Sequence, residues 1–221
     1  MIGGYMSSLI LKIIALVAMT IDHTGKVFLI NPDFCNILGR LAFPIFAFQL
    51  VEGYHHTKNL NKYMFRLFLV AVIAQIAFGN LFGGLNTVFT LLLGLLCILI
   101  YEKESDKIIS LTVIITIGIS ALLLNFDYGL YGILMVIIFH IFYKNKIKKS
   151  MAFTILVIIH YLLLVYLTKD FNLLLPMIST IATIFFINMY NNKQGRPLKY
   201  LFYIYYPLHL YILWIISLII K

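Results

Sequence analysis

The sequence predicts an all-α fold, a polytopic bundle of transmembrane helices in one domain over residues 1–221, and three observations lead there. Hydrophobic residues make up 62% of the 221-residue chain and charged residues only 11%. Soluble domains average about 45–50% apolar and about 25% charged. The mean hydropathy of +1.00 means more apolar surface than a water-soluble fold can hide. The apolar residues also come in long runs without strand-like alternation, so the spans are helical and not barrel strands.

Windows of about 17–25 apolar residues pick out about nine spans, near residues 9–30, 37–52, 63–82, 87–101, 108–124, 128–143, 151–167, 171–190 and 200–220. The stretch before the first run lacks a basic region, so that run reads as a retained span and not a cleaved signal peptide. Spans two, four and six are short. In span two, Pro44 lacks a donor and frees a carbonyl in the preceding turn, which predicts a kink or a polar contact. Asn86 and Thr90, one turn apart, suit hydrogen bonds between helices. Asp127 suits an N-cap, and the small residues after it favour close helix approach. No internal repeat of roughly 20–50 residues is visible, which disfavours the inverted-repeat transporter folds.

The formal charge of +9 does not argue for nucleic acid, because the cations fall in short loops, where they report topology. With the N-terminus inside, thirteen of them share one side: Lys12, those of segments 58–66, 103–107 and 144–149, and Lys193, Arg196 and Lys199. Four face the other side: Lys26, Arg40, Lys169 and Lys221. The N-terminus is therefore expected in the cytoplasm, and an odd span count puts the C-terminus outside. Cys35 and Cys97 lie far apart without CxxC spacing, which suggests neither a disulfide framework nor a metal knuckle.

Asp22 and His23 interrupt the first apolar run, and ionisable groups in a lipid-embedded helix mark a site by default. The plainer alternative is that both lie wet at the headgroup level. His23 lies eleven residues past Lys12, about 16 Å up a helix and in the outer half of a core about 30 Å thick. Neighbours on a helix point about 100° apart, so Asp22 is expected to pair with Lys26 or Arg40. His23 then suits a general base. Arg40, at the outer start of span two, either clasps a carboxylate or phosphate or snorkels at the interface. Glu52 near a helix C-terminus opposes the dipole and calls for a partner such as Lys62 or Arg66. The loop from Tyr54 through His56 and Lys58 to Lys62 and Arg66 is basic either for topology alone or to hold a phosphate-bearing cofactor. Its adjacent histidines, with no HExxH or Cys/His set, suggest no metal. His140 and His160 have no polar companions in sequence and read as structural or interfacial. Tyr128 opens span six, and His209, near the middle of span nine, reads equally as structural or functional.

The segments IDHTGKVF, GRLAFPIFAFQLVEGYHHTKN, LNTVFTLLLGLL, NFDYGLYG and KYLFYIYYPLHLYIL, in this order, resemble the TraX family over nearly the whole chain. The resemblance implies an acetyltransferase of the bacterial cytoplasmic (inner) membrane, whose namesake acetylates the N-terminal amine of a conjugative pilin with acetyl-CoA. It points to Asp22, His23, Arg40, Glu52, Tyr128 and His209. On that reading, His23 serves as general base or as a covalent acetyl carrier. Arg40 or Tyr128 stabilises the oxyanion, and Asp22 and His209 stand beside them as catalytic candidates. Glu52, His56, Lys58, Lys62 and Arg66 hold the donor. The expected partners are acetyl-CoA, membrane lipid and an exported peptide or glycan acceptor such as pilin. Two other readings stand beside it. A small proton-coupled transporter would use Asp22, His23 and Glu52 as a proton relay. A non-catalytic assembly factor would use the polar residues only to tie helices together.

Overall fold

A computed structural model describes residues 5–196 and 198–220, except for the side chains of Lys199 and Leu201. Lys221, one of the four cations expected outside, lies beyond the described residues. The described chain is helical: α1 (Ser8–Phe28), α2 (Pro32–Gly39), α3 (Ala42–His56), α4 (Leu60–Phe82), α5 (Thr87–Lys103), α6 (Lys107–Leu123), α7 (Gly129–Ile141), α8 (Lys146–Thr168), α9 (Leu174–Asn188) and α10 (Lys199–Ile220). Short polar residues start these helices by satisfying their first amides. Asn59 accepts from the Lys62 amide, Asn86 from Val88, Asp106 from Ile108 and Ile109, and Asn145 from Lys148.

Six helical stretches are long and apolar enough to cross a membrane: Ser8–Phe28, Pro32–His56, Leu60–Phe82, Lys146–Thr168, Phe171–Asn188 and Phe202–Ile220. The second corrects the expected boundaries, because the short run around Pro44 starts earlier and is broken in two. The break falls at Arg40–Leu41, between α2 and α3. Pro44 has no amide proton to give the carbonyl four residues back, so the helix yields there and not at the proline. The expected spans four, five and six form α5, α6 and α7, which at 17, 17 and 13 residues are shorter than those six.

The chain divides into two compact units: residues 1–49 with 142–198, and residues 50–141 with 199–221. In the first, α1 packs on α2, α2 on α9, and α8 on α9. Glycines make the α1–α2 contact close. A Cβ on Gly25 would run into the Cys35 side chain, and one on Gly39 into that of Asp22. At one end of this unit Met6 bonds to Met189 (3.0 Å), and Lys146 Nζ donates to the Asn188 carbonyl (3.2 Å). That end carries Lys146, Lys148 and Lys149 at the start of α8.

In the second unit, α4 packs on α10 and α5, while α7 packs on α5 and α6. The short connections at 57–59, 83–86, 104–106 and 124–128 make successive helices antiparallel. Lys58, Lys62, Arg66, Lys103 and Lys107 consequently gather at one end. At the other, loops 83–86 and 124–128 meet: Leu85 N donates to Asn125 O (2.9 Å) and Asp127 N to Leu85 O (2.8 Å). They do not meet at the tip of α4. Asn86 Nδ2 donates to the Ala71 carbonyl (2.8 Å) and to Gln75 Oε1 (2.9 Å). Ala71 is eleven residues past Leu60, about 16 Å along a helix about 34 Å long. Helices α5 and α7 therefore begin roughly halfway up α4.

Candidate functional site

In the first unit, α1 and α2 place Asp22, His23 and Arg40. Asp22 Oδ2 pairs with Lys26 Nζ at 2.6 Å, one turn on, while Gly39 lets α2 approach the Asp22 side chain. Arg40 turns back on its own helix, its Nε donating to Asn36 Oδ1 (2.9 Å). His23 is 8% exposed. His160, read from sequence as lacking companions, lies within the field of Arg40.

In the second unit, the cation-rich end holds the expected donor residues. Glu52 reaches His56, whose Nδ1 stands 3.6 Å from its carboxylate and 2.9 Å from its carbonyl. The i+4 spacing within α3 brings His56 to Glu52, a partner the sequence reading did not name. Arg66 lies over the Tyr203 ring, 5.9 Å from its centroid.

Halfway along α4 lies a polar layer. The Thr87 hydroxyl donates to the Asp127 carboxylate and the Thr90 hydroxyl to the Asp127 carbonyl. Gln75 Nε2 donates to the Gly84 carbonyl (2.8 Å), and its Oε1 accepts from the Asn86 amide (3.0 Å). Non-helical backbone at membrane depth persists only where protein buries it or water reaches it. Here Asn86 and Thr90 are fully buried, while 122–125 are exposed. Asn125 and Tyr128 sit in the left-handed region (φ 57° and 65°), a conformation non-glycine residues adopt when surroundings impose it, often at functional sites. Helix α10 adds Tyr206 and, one turn on, His209. His209 Nδ1 lies 3.0 Å from the Tyr205 carbonyl; donating there fixes Nε2 as the basic nitrogen. Its ring stacks on Tyr205 at 5.4 Å and meets Tyr206 at 5.6 Å.

Tyr128 and His209 thus share the second unit with Lys58, Lys62 and Arg66, whereas Asp22, His23 and Arg40 belong to the first. The sequence profile of the TraX protein family matches residues 7–217. The chain belongs to the TraX family. It is also 29% identical, over 92% of each chain, to a Dichelobacter nodosus protein named "Probable fimbrial assembly protein FimC, serogroup H1". No solved structure matches.

This TraX member holds two groupings that sequence reasoning missed. The first corrects the reading of His140. Its Nε2 stands 3.4 Å from Glu102 Oε1, and Tyr54 donates to the other carboxylate oxygen. His55 stacks on the His140 ring at 5.3 Å, with Tyr54 and Tyr101 edge-on. His140 Nδ1 is buried without a hydrogen-bond partner. The C-terminal ends of α3, α5 and α7 bring these residues together, and no spacing within one segment signals that. The second is Lys149, assigned to a loop by charge yet only 4% exposed, with Nζ 4.7 Å from the Phe48 ring centroid.

Proposed function

We propose that this TraX-family chain is an acetyltransferase of the bacterial cytoplasmic membrane. It moves the acetyl group of cytosolic acetyl-CoA to an amine or hydroxyl of an exported acceptor, a pilin-like N-terminus foremost. Family membership supports the reading, as does a relative named for fimbrial assembly. One observation carries it to these residues: the second unit has Lys58 and Lys62 at one end and its polar layer about 16 Å along α4 from Leu60, with Arg66 part-way between. A donor held by its phosphates at the first level presents an extended thioester arm to the second.

In this reading Lys58, Lys62 and Arg66 meet the phosphates, with Glu52 and His56 orienting the loop between them. At the polar layer, His209 Nε2 takes the proton of the attacking amine as the new C–N bond forms. Tyr128 borders the reacting carbonyl. Collapse of the tetrahedral intermediate breaks the C–S bond, and the departing sulfur takes the proton back from the imidazolium. The sum is amine plus thioester giving amide plus thiol. His23, the base expected from sequence, is buried in α1 beside Asp22, with Arg40 just past the end of α2, and is the alternative base in the first unit.

The test is a thermal-shift titration of detergent-purified protein with acetyl-CoA, CoA and an unrelated nucleotide, followed by acetyl transfer to a peptide amine. Stabilisation specific to acetyl-CoA, with loss of transfer in His209→Gln or His23→Gln, supports the enzyme. A folded, monodisperse protein with no response favours the proton-coupled transporter, in which Asp22, His23 and Glu52 carry protons.

A further inference from the structure

The acetyl-transfer reading offers Arg40 or Tyr128 to the carbonyl oxygen as it becomes an oxyanion, and the polar layer holds a further donor that sequence reasoning passed over. Tyr206 lies on the face of α10 that carries His209, one turn before it, and the two rings stand 5.6 Å apart. Its hydroxyl is buried and makes no well-formed hydrogen bond. It sits beside Thr87 and within the field of Asp127 and Tyr128. The nearby hydroxyls have already placed their protons: Thr87 gives its own to the Asp127 carboxylate, and Thr90 gives its own to the Asp127 carbonyl. A buried tyrosine hydroxyl normally finds a partner. This one lies beside Thr87, whose own proton goes to Asp127, so its O–H can turn from Thr87 Oγ1 to an oxygen that arrives next to a base with a fixed tautomer.

The electrostatics of the layer favour an arriving oxygen that gains negative charge. Helices α5 and α7 both begin here, and each N-terminus carries a partial positive charge. Together they offset Asp127, so the layer does not present a bare carboxylate to the donor.

We propose that Tyr206 is a catalytic residue of the transfer, its O–H donating to the thioester carbonyl oxygen while His209 removes the amine proton from the other side of the reacting carbon. This rests on the acetyltransferase reading. Electrons balance without a further partner. The amine lone pair forms the C–N bond, the carbonyl π pair moves onto the oxygen held by Tyr206, and that pair returns as the C–S bond breaks. The tyrosine keeps its proton throughout.

The experiment compares wild type, Tyr206→Phe and protein carrying 3-fluorotyrosine at position 206, using acetyl-CoA, a peptide amine and active sites counted by acetyl-CoA binding. Removing one oxyanion donor is expected to lower kcat about 10²-fold or more with KM for acetyl-CoA unchanged. The fluorotyrosine protein, which keeps the hydroxyl, is expected to recover at least a tenth of wild-type kcat. A Tyr206→Phe kcat within threefold of wild type overturns the proposal, and so does a loss that fluorotyrosine fails to restore. No acetyl transfer by wild type removes the acetyltransferase reading itself, an outcome visible before any variant is compared.

Discussion

Asn86 Nδ2 donates to the carbonyl of Ala71 across 2.8 Å, and that bond fixes the level at which α5 begins. Ala71 lies in the middle of a 23-residue helix, so the loop carrying Asn86 dips into the bundle and does not cap its rim. The same side chain accepts from the Val88 amide (3.0 Å) and meets Gln75. One residue therefore serves as helix cap, inter-helix tie and depth gauge.

Replacing Asn86 by Ala is expected to destabilise the protein by about 2–4 kcal/mol. A lost cap costs about 1 kcal/mol, and each buried group left without a partner adds about 1–3 kcal/mol. Asn86→Ser, which keeps a capping oxygen but cannot reach Ala71, should fall between the two. Thermal unfolding in detergent, read by the tryptophan fluorescence of Trp214, measures the series. Equal stability of Asn86→Ala and wild type would mean that the loop does not depend on this tie.

Gly39→Ala and Gly25→Ala probe the other unit. An added methyl at either position meets a side chain already in contact, that of Asp22 or Cys35, and overpacking of this kind costs about 1–3 kcal/mol. Separation of α1 from α2 should also expose Cys35, which is buried. The expected readout is faster maleimide labelling of Cys35 in both variants, with Cys97 labelling unchanged.

How far the sequence carried the reading depends on the range of the interactions. Composition and run length sufficed for helix class and for the approximate positions of the long apolar helices, because those depend on neighbours a few residues apart, but α2 (Pro32–Gly39) was not foreseen as a helix of its own. The pairing of Asp22 with Lys26 was legible for the same reason. The stop at Arg40 was half legible: Pro44 announced a disturbance, but the freed carbonyl lies four residues back and the break followed it. The polar layer was hidden, since Thr87, Asp127 and Tyr206 come from three segments and converge only once the 83–86 loop folds back on α4. The Glu102–His140 pair was hidden likewise, 38 residues apart between α5 and α7.

That pair yields a test separating support from chemistry. His140 is enclosed by Tyr54, His55 and Tyr101 rings and keeps an unpartnered buried nitrogen, so a plain aromatic ring should fit the same space. His140→Phe is expected to leave stability within about 1 kcal/mol of wild type, as volume-conserving core swaps do. Glu102→Ala, which strands both Tyr54 and His140, should cost about 1–3 kcal/mol. If His140→Phe instead unfolds the protein, the Glu102 contact holds this end together and the ring stack does not.

The donor cations are expected to act on binding and not on turnover. Lys58→Gln and Lys62→Gln should each raise KM for acetyl-CoA several-fold and leave kcat alone, because an interaction made equally in ground and transition states changes only KM. Added salt should weaken wild-type binding and flatten the difference between wild type and variants. Arg66→Gln should also lower stability, since Arg66 lies over Tyr203. A fall in kcat without a change in KM for Lys58→Gln would move the donor phosphates elsewhere.

Orientation and water access can be read together by cysteine labelling in a background lacking Cys35 and Cys97. Lys58→Cys and Lys103→Cys lie at the cation-rich end, and Leu124→Cys lies in the exposed loop beside the polar layer, where Leu124 is 65% exposed. If cations keep to the cytoplasmic side, an impermeant maleimide should label the first two in inverted vesicles and spare them in whole cells. Leu124→Cys should behave oppositely, because water must enter from the outer face for an exported acceptor to reach a layer this far along α4. Labelling of all three from one side would refute the two-level arrangement. Labelling of Leu124→Cys from neither side would mean that protein or lipid seals the layer, and an acceptor would then have to enter laterally through its own hydrophobic segment.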